Sequence, residues 1–145
     1  MVYTSTIYTN AMLNAFSGKI NIPADTIKVA LLTSSYTPNQ DTHDFFDDVT
    51  SYQVSATGYT AGGATLASKT LVAGTKLVTI DAADTSWTIT GSVTFRYAVL
   101  YDATPATDAT RPLIALVDFG ADQTMNDGTL KITWNASGIV TLTVS

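Results

Sequence analysis

The fold of this chain is decided by one stretch late in the sequence, Val93-Thr94-Phe95-Arg96-Tyr97-Ala98-Val99-Leu100-Tyr101. Its odd-numbered residues are all apolar or aromatic, so an extended strand would carry them on one face. Alternation with a period of two is typical of half-buried antiparallel strands. The stretch therefore predicts a β-sheet with Val93, Phe95, Tyr97, Val99 and Tyr101 turned toward a single core.

The same pattern recurs after this stretch. Leu130, Ile132 and Trp134 alternate with polar residues, and so do the apolar residues between 140 and 144. From residue 64 onward we predict strands at about 64–72, 76–82, 85–90, 92–102, 112–119, 129–135 and 138–144. Asn126-Asp127-Gly128 is the strongest turn signal, and the short connection Asn135 to Gly138 predicts a hairpin between the last two strands.

The first third of the chain reads differently. Residues 6–17 predict a short helix, with an imperfect apolar stripe from Ile7 to Phe16 and a stop at Gly18. Residues 26–33 predict a strand buried on both faces, since their apolar run is nearly continuous. Within the polar segment 36–50, residues 41–49 predict one or two helical turns, pinned to the body by Phe45 and Phe46.

Composition supports this assignment. All 12 acidic residues are Asp, and the chain contains no Glu, the residue that would favour helix interiors. Thr favours strands and Asp favours turns. We therefore expect one mainly β domain over residues 1–145, an antiparallel β-sandwich or flattened barrel with a short N-terminal helix.

Charge and cysteine content exclude several classes of function. The net charge is -5 with only 7 Lys and Arg, so we expect neither a nucleic-acid partner nor an anionic membrane surface. The chain has no cysteine, which excludes disulfides and thiolate chemistry. We expect no signal peptide, because the first residues lack a basic and an apolar region, and no apolar run is long enough to span a bilayer.

No residue pattern in the sequence indicates a reactive site. His43 is the only histidine and is interpreted as a solvated loop residue. The acidic group Asp41, Asp44, Asp47 and Asp48 lacks the alternating spacing and the glycine of a calcium loop, so a solvated acidic face is favoured over a cation site. Residues 58–63 lack the spacing of a phosphate loop. We predict no catalytic residue, no metal ligand and no cofactor.

The aromatic residues have two possible roles. Sugar stacking would require a surface platform made of Tyr52, Tyr59, Trp87, Tyr97, Tyr101 and Trp134. Aromatic side chains are equally common in cores, and Tyr97 and Trp134 alternate with apolar residues, so these two are predicted in the core. Tyr3, Tyr8 and Tyr36 are better candidates for contact with a partner, because they lie near a terminus or in a polar loop.

Short motifs also follow one another in a characteristic order along the chain. They are Asp25-Thr26-Ile27-Lys28-Val29-Ala30-Leu31, Tyr36-Thr37-Pro38, Asp44-Phe45-Phe46-Asp47-Asp48-Val49, residues 54–66, Arg96-Tyr97-Ala98-Val99-Leu100-Tyr101, Pro112-Leu113-Ile114-Ala115 and Asp118-Phe119-Gly120. In this order they resemble a family of small structural proteins of tailed bacteriophages. The resemblance covers nearly the whole chain and brings no catalytic residue with it.

The resemblance implies a non-enzymatic component of the virion. We expect a capsid decoration protein on the capsid surface, docked as a homotrimer on the lattice of the major capsid protein. The expected contact regions are the N-terminal segment 1–20 and the loop 36–50, with Tyr3, Ile7, Tyr8, Tyr36, Phe45 and Phe46 as contact residues. Sheet edges can also add strands to neighbours. The alternatives are a tail-associated or receptor-binding module that recognises host surface glycan, a glycan hydrolase, and a β domain with no role in assembly.

Overall fold

The computed structural model describes residues 2–145, which form eight strands, one α-helix and three short 3₁₀ turns. The strands are β1 (Thr4–Ile7), β2 (Ile27–Leu32), β3 (Ala64–Thr65), β4 (Thr70–Gly74), β5 (Leu77–Asp81), β6 (Thr85–Asp102), β7 (Leu113–Ile132) and β8 (Val140–Thr143). The helix α1 is Thr9–Phe16, and the 3₁₀ turns are Phe46–Asp48, Thr50–Tyr52 and Asp108–Thr110.

The strands form two antiparallel sheets. One has five strands in the order β1-β7-β6-β2-β3, and the other has three in the order β4-β5-β8. Strands hold 47% of the residues and helices 12%, so the predicted mainly β class with a short N-terminal helix is confirmed. Ile80 and Val140 of the small sheet pack in one core with Leu31 and Leu100 of the large sheet, a sandwich-like arrangement.

The large sheet is buried on both faces, which corrects the prediction that residues 93 to 101 turn one side to a single core. Val93 and Phe95 lie in the core between the sheets. Tyr97, Val99 and Tyr101 lie in a second core on the opposite face, beneath α1 and the 36–50 loop. The cause is a bulge: Phe95 pairs with Gln123 but Tyr97 pairs with Asp118, so four residues of β7 lie opposite one residue of β6. A bulge of this kind re-aims the side chains that follow it.

A second bulge replaces the turn predicted at 126–128. Asn126, Asp127 and Gly128 lie inside β7, where Asp127 has a φ of 36° and Gly128 a φ of 127°. The pairing shifts between Ile89 and Ser92 on β6, and the Asp127 carboxylate accepts a hydrogen bond from the Gly91 amide at 2.7 Å. The predicted turn is therefore wrong, and the left-handed backbone that such turns use lies in a bulge within one long strand.

The predicted hairpin between the last two strands is also wrong. β8 pairs with β5 of the small sheet, and β7 pairs with β6 and β1. The connection from Asn135 to Gly138 therefore carries the chain from one sheet to the other. The Asn135 amide donates a hydrogen bond to the Tyr3 hydroxyl at 2.7 Å, which anchors this crossing to the N-terminal segment.

The N-terminal segment is divided between a strand and a helix. Thr4 to Ile7 pair with β7, so the helix predicted over 6–17 is confirmed only from Thr9 to Phe16. β2 lies within the predicted strand 26–33 and is buried along nearly its whole length, as expected. The N-terminal strand had no sequence signal of its own, because it is short and polar and gains stability only from pairing with β7.

Candidate functional site

The 36–50 loop is joined to the N-terminal segment by a chain of hydrogen-bonded rings. The Tyr8 and Tyr36 hydroxyls lie 2.9 Å apart, and the Tyr36 hydroxyl lies 2.7 Å from Nδ1 of His43. Burial raises the pKa of both tyrosines, so both stay neutral hydrogen-bonding groups at physiological pH. His43 is half-buried rather than a solvated loop residue, which corrects the sequence interpretation.

The loop also holds the start of α1. The Gln40 carbonyl accepts a hydrogen bond from the Thr9 amide at 3.0 Å, and the Gln40 side chain donates one to the Ile7 carbonyl at 2.8 Å. The Asp41 carboxylate accepts a hydrogen bond from the Thr9 hydroxyl at 2.8 Å. These contacts make the loop and the helix N-terminus one connected surface.

Phe46 anchors the other end of the loop. Its ring stacks on Tyr101 with centroids 3.7 Å apart and planes inclined by 9°, and only 2% of Phe46 is exposed. The Phe46 amide donates to the Arg111 carbonyl at 2.9 Å. The predicted pinning of this loop is therefore accomplished by Phe46, while Phe45 remains partly exposed.

The acidic residues of the loop serve its own backbone. The Asp48 carboxylate accepts a hydrogen bond from the Asp44 amide at 2.9 Å, across the start of the first 3₁₀ turn. Partial burial and the neighbouring Asp48 charge raise the pKa of Asp44. Within residues 2–145 no group of three or more acidic or histidine side chains is arranged to hold a metal ion.

The structure separates the six predicted contact residues into two groups. Tyr8, Tyr36 and Phe46 are buried, so in the isolated chain they pack the loop against the sheet instead of facing a partner. Tyr3, Ile7 and Phe45 are partly exposed. For all six residues, contact with a partner stays a prediction.

The outer face of α1 was missed by the sequence analysis. The helix packs against the body through Ala11 and Asn14, both buried, while Leu13 is 64% exposed and Phe16 is 85% exposed. The predicted stripe assigned Leu13 and Phe16 to the inner face. The stripe was imperfect, and Ala11 and Asn14 face the body instead. Two large apolar side chains consequently project from a well-anchored helix.

The aromatic platform considered for sugar stacking does not form on the surface. Trp87, Tyr59 and Tyr101 are buried, and so are Tyr97 and Trp134, as predicted for the last two. Burial raises the pKa of Tyr59 and of Tyr101 to about 12. These side chains are core elements of the two faces of the large sheet.

A buried carboxyl lies at the end of β6. Asp102 is 1% exposed, and its carboxylate accepts a hydrogen bond from the Thr104 amide at 2.9 Å. Burial and the neighbouring Asp25 carboxylate raise the pKa of Asp102. This Asp pair had no sequence signal, because the two residues are brought together only by the pairing of β2 with β6.

No family model, curated protein or solved structure matches this chain. No helix within residues 2–145 combines the length and the apolar character needed to cross a membrane.

Proposed function

We propose that this chain is a non-enzymatic structural protein of a tailed-bacteriophage virion, and that it decorates the capsid by docking on the major capsid protein. The order of motifs supports the virion assignment. The observation that carries the docking function is the outer face of α1, where Leu13 and Phe16 are exposed although the helix itself is held firmly. Isolated exposed apolar residues are common, but Phe16 at 85% is an extreme case for a ring of this size.

The anchoring of α1 makes this face suitable for docking. The N-terminal end of the helix is fixed by β1 and by the Gln40 and Asp41 contacts, and its body packs through the buried Ala11 and Asn14. A rigid surface loses little conformational entropy on association. Most of the free energy gained by burying its aromatic and aliphatic side chains therefore contributes to affinity. Three copies around a three-fold position of the capsid would add further strength, since linked sites raise the effective concentration.

The proposal is tested on virions of the phage that encodes the chain. Phage carrying the double change Leu13→Ser and Phe16→Ser should yield heads with much reduced occupancy, while Val72→Ser, at a 57% exposed site on β4, should leave occupancy unchanged. Quantitative labelling should find hundreds of wild-type copies over the head. Labelling confined to a few copies at the tail would refute the capsid assignment, and unchanged occupancy of the double variant would refute docking through α1.

A further inference from the structure

The small sheet has one open edge, at β4. Its strands run in the order β4-β5-β8, so β4 has a neighbour on one side only, whereas β8 lies alongside β1 of the large sheet. All five residues of β4 are exposed. Leu71 is 44% exposed and Val72 57%, so two large apolar side chains lie in solvent on this strand. A sheet edge of this kind offers main-chain donors and acceptors to another strand.

The hydrogen bonds between β5 and β8 show how the main-chain groups of β5 are directed. The Val144 amide donates to the Lys76 carbonyl at 2.8 Å, and these two residues lie opposite each other in the register that pairs Leu77 with Thr143. In an antiparallel pair, hydrogen-bonded positions alternate with positions that are not bonded. Leu77 therefore directs its N–H and C=O groups away from β8 and toward β4.

The same alternation fixes the free groups of β4. Leu77 pairs with Gly74, so Gly74 and Val72 direct their main-chain groups to β5. Leu71 and Ala73 therefore direct their N–H and C=O groups away from β5, and within residues 2–145 no strand pairs with them. The open edge presents two donors and two acceptors, placed symmetrically about Val72.

The sequence of β4 carries none of the features that guard a sheet edge. Natural edge strands are protected from pairing by charged side chains, proline or bulges. Residues 70–74 contain no charge and no proline, and β4 pairs with β5 in unbroken register. Lys69, directly before the strand, donates its ammonium group to the Asp25 carbonyl at 2.7 Å and so lies away from solvent at the edge. The edge is therefore open to close approach by another uncharged strand.

We propose that two copies of this chain pair through β4 about a two-fold axis at Val72. In the antiparallel register that sets Val72 opposite its own counterpart, Leu71 lies opposite Ala73 of the second copy. The free donors and acceptors of the two edges then form four hydrogen bonds, as an isologous contact requires. A large side chain faces a small one at both flanking positions, and no like charges are opposed.

The sheet edges favour a second copy over a strand from another protein. A foreign strand would pair with β4 on one side and become a new open edge of the small sheet. Two-fold pairing joins two three-stranded sheets into one of six strands, whose outer strands are both β8, each alongside β1. Pairing between copies therefore removes the open edge of the small sheet from both. The contact is separate from the outer face of α1 and does not rest on the capsid assignment.

The test changes the charge at the two-fold axis. Residues directly opposite each other across two strands have Cβ atoms about 4.5–5.5 Å apart. Val72→Lys and Val72→Asp should therefore each bring like charges together and weaken the dimer at least about tenfold, whereas an equal mixture of the two should restore it as a heterodimer. Val144→Lys, at a 58% exposed site beyond β8, is the matched control and should dimerise like wild type. Sedimentation velocity of the full chain over about 10 µM to 1 mM gives the dissociation constants.

Amide signals of the ¹⁵N-labelled wild type supply a readout that needs no variant. On dilution, the signals of Leu71 and Ala73 should move more than those of β8. The thermal midpoints of both charged variants of Val72 should stay close to that of Val144→Lys, since the side chain is exposed.

Four results would each overturn the proposal. They are a wild type that stays monomeric at about 1 mM, charged variants that dimerise like wild type, an equal mixture that stays monomeric, and dilution shifts centred away from β4. Val72→Ser adds no charge and keeps the main-chain hydrogen bonds, so it should still dimerise. None of these results bears on capsid occupancy through α1, so the two proposals fail separately.

Discussion

A very close backbone contact lies where Gly63 meets β2, and adding a single methyl group there tests it. Gly63 has a φ of +75°, and a Cβ atom built on it would lie 1.8 Å from the Val29 carbonyl oxygen and 2.7 Å from Cα of Ala30. Val29 and Ala30 are fully buried in β2, which pairs with β6 on its other side. The strand cannot retreat without disturbing that pairing, so Gly63→Ala should be strongly destabilising.

The loss of stability in Gly63→Ala has two parts, which a matched variant separates. Gly120 has a φ of +80°, and a Cβ atom there would meet nothing within 4 Å. Gly120→Ala therefore measures only the cost of left-handed backbone, about 1–2 kcal/mol. Gly63→Ala adds overpacking against β2, typically about 1–3 kcal/mol and occasionally more. Gly62→Ala, whose Cβ would lie 3.2 Å from the Tyr101 hydroxyl, should fall between them.

Equilibrium unfolding in urea, followed by the fluorescence of the buried Trp87 and Trp134, gives all three free energies of unfolding. The thermal midpoint should fall by about 2–4 °C for each kcal/mol lost. Gly120→Ala should be the most stable of the three variants and Gly63→Ala the least stable, with Gly62→Ala between them. If Gly63→Ala unfolded at the same urea concentration as Gly120→Ala, the close approach of Gly63 to β2 would be refuted.

Two further predictions concern the 36–50 loop and the buried carboxyl. Phe46→Ala should lower the free energy of unfolding by about 3–5 kcal/mol through loss of the stacked ring, whereas Phe16→Ala should change it by less than about 0.5 kcal/mol; similar urea midpoints for the two would contradict the assignment of Phe46 to the core. The folded-state pKa of Asp102 is raised, so its ionisation opposes folding above that pKa and the penalty disappears as pH falls through it. Asp102→Asn should therefore be more stable than wild type at about pH 7, and that advantage should shrink as the pH falls toward about 4, the ordinary pKa of an Asp carboxyl; an advantage independent of pH would exclude this explanation.

The strands were predictable where burial is one-sided and the backbone regular. The strands predicted at 76–82 and 138–144 contain β5 and β8, and in β8 the apolar Val140 and Leu142 alternate with Thr141 and Thr143. Alternation over 93–101 located β6 but misassigned its faces. A bulge is invisible to a period-two pattern when both faces are apolar, since the residues on either side of Arg96 fit the pattern equally well.

Pairing partners were harder to predict than strands. The Asn135–Gly138 connection has the composition of a hairpin turn, yet it joins two sheets, because β8 can bury Val140 against Ile80 and β7 is already paired on both sides. The turn signal at Asp127 likewise lies in a bulge, because the residues on both sides of it pair with β6. Local turn chemistry specifies the backbone conformation of a residue, while competition between strands decides which segments become neighbours.

The candidate docking surfaces follow from this competition. α1 and the 36–50 loop cover one face of the large sheet, and the small sheet covers the other. The predicted contact residues Tyr8, Tyr36 and Phe46 are therefore buried within the chain. The outside of α1 stays exposed within the described residues. A sequence predicts which side chains seek burial, but it cannot distinguish burial within the chain from burial against a partner. Phe16, 85% exposed on the outer face of α1, is the side chain for which burial against a partner is proposed.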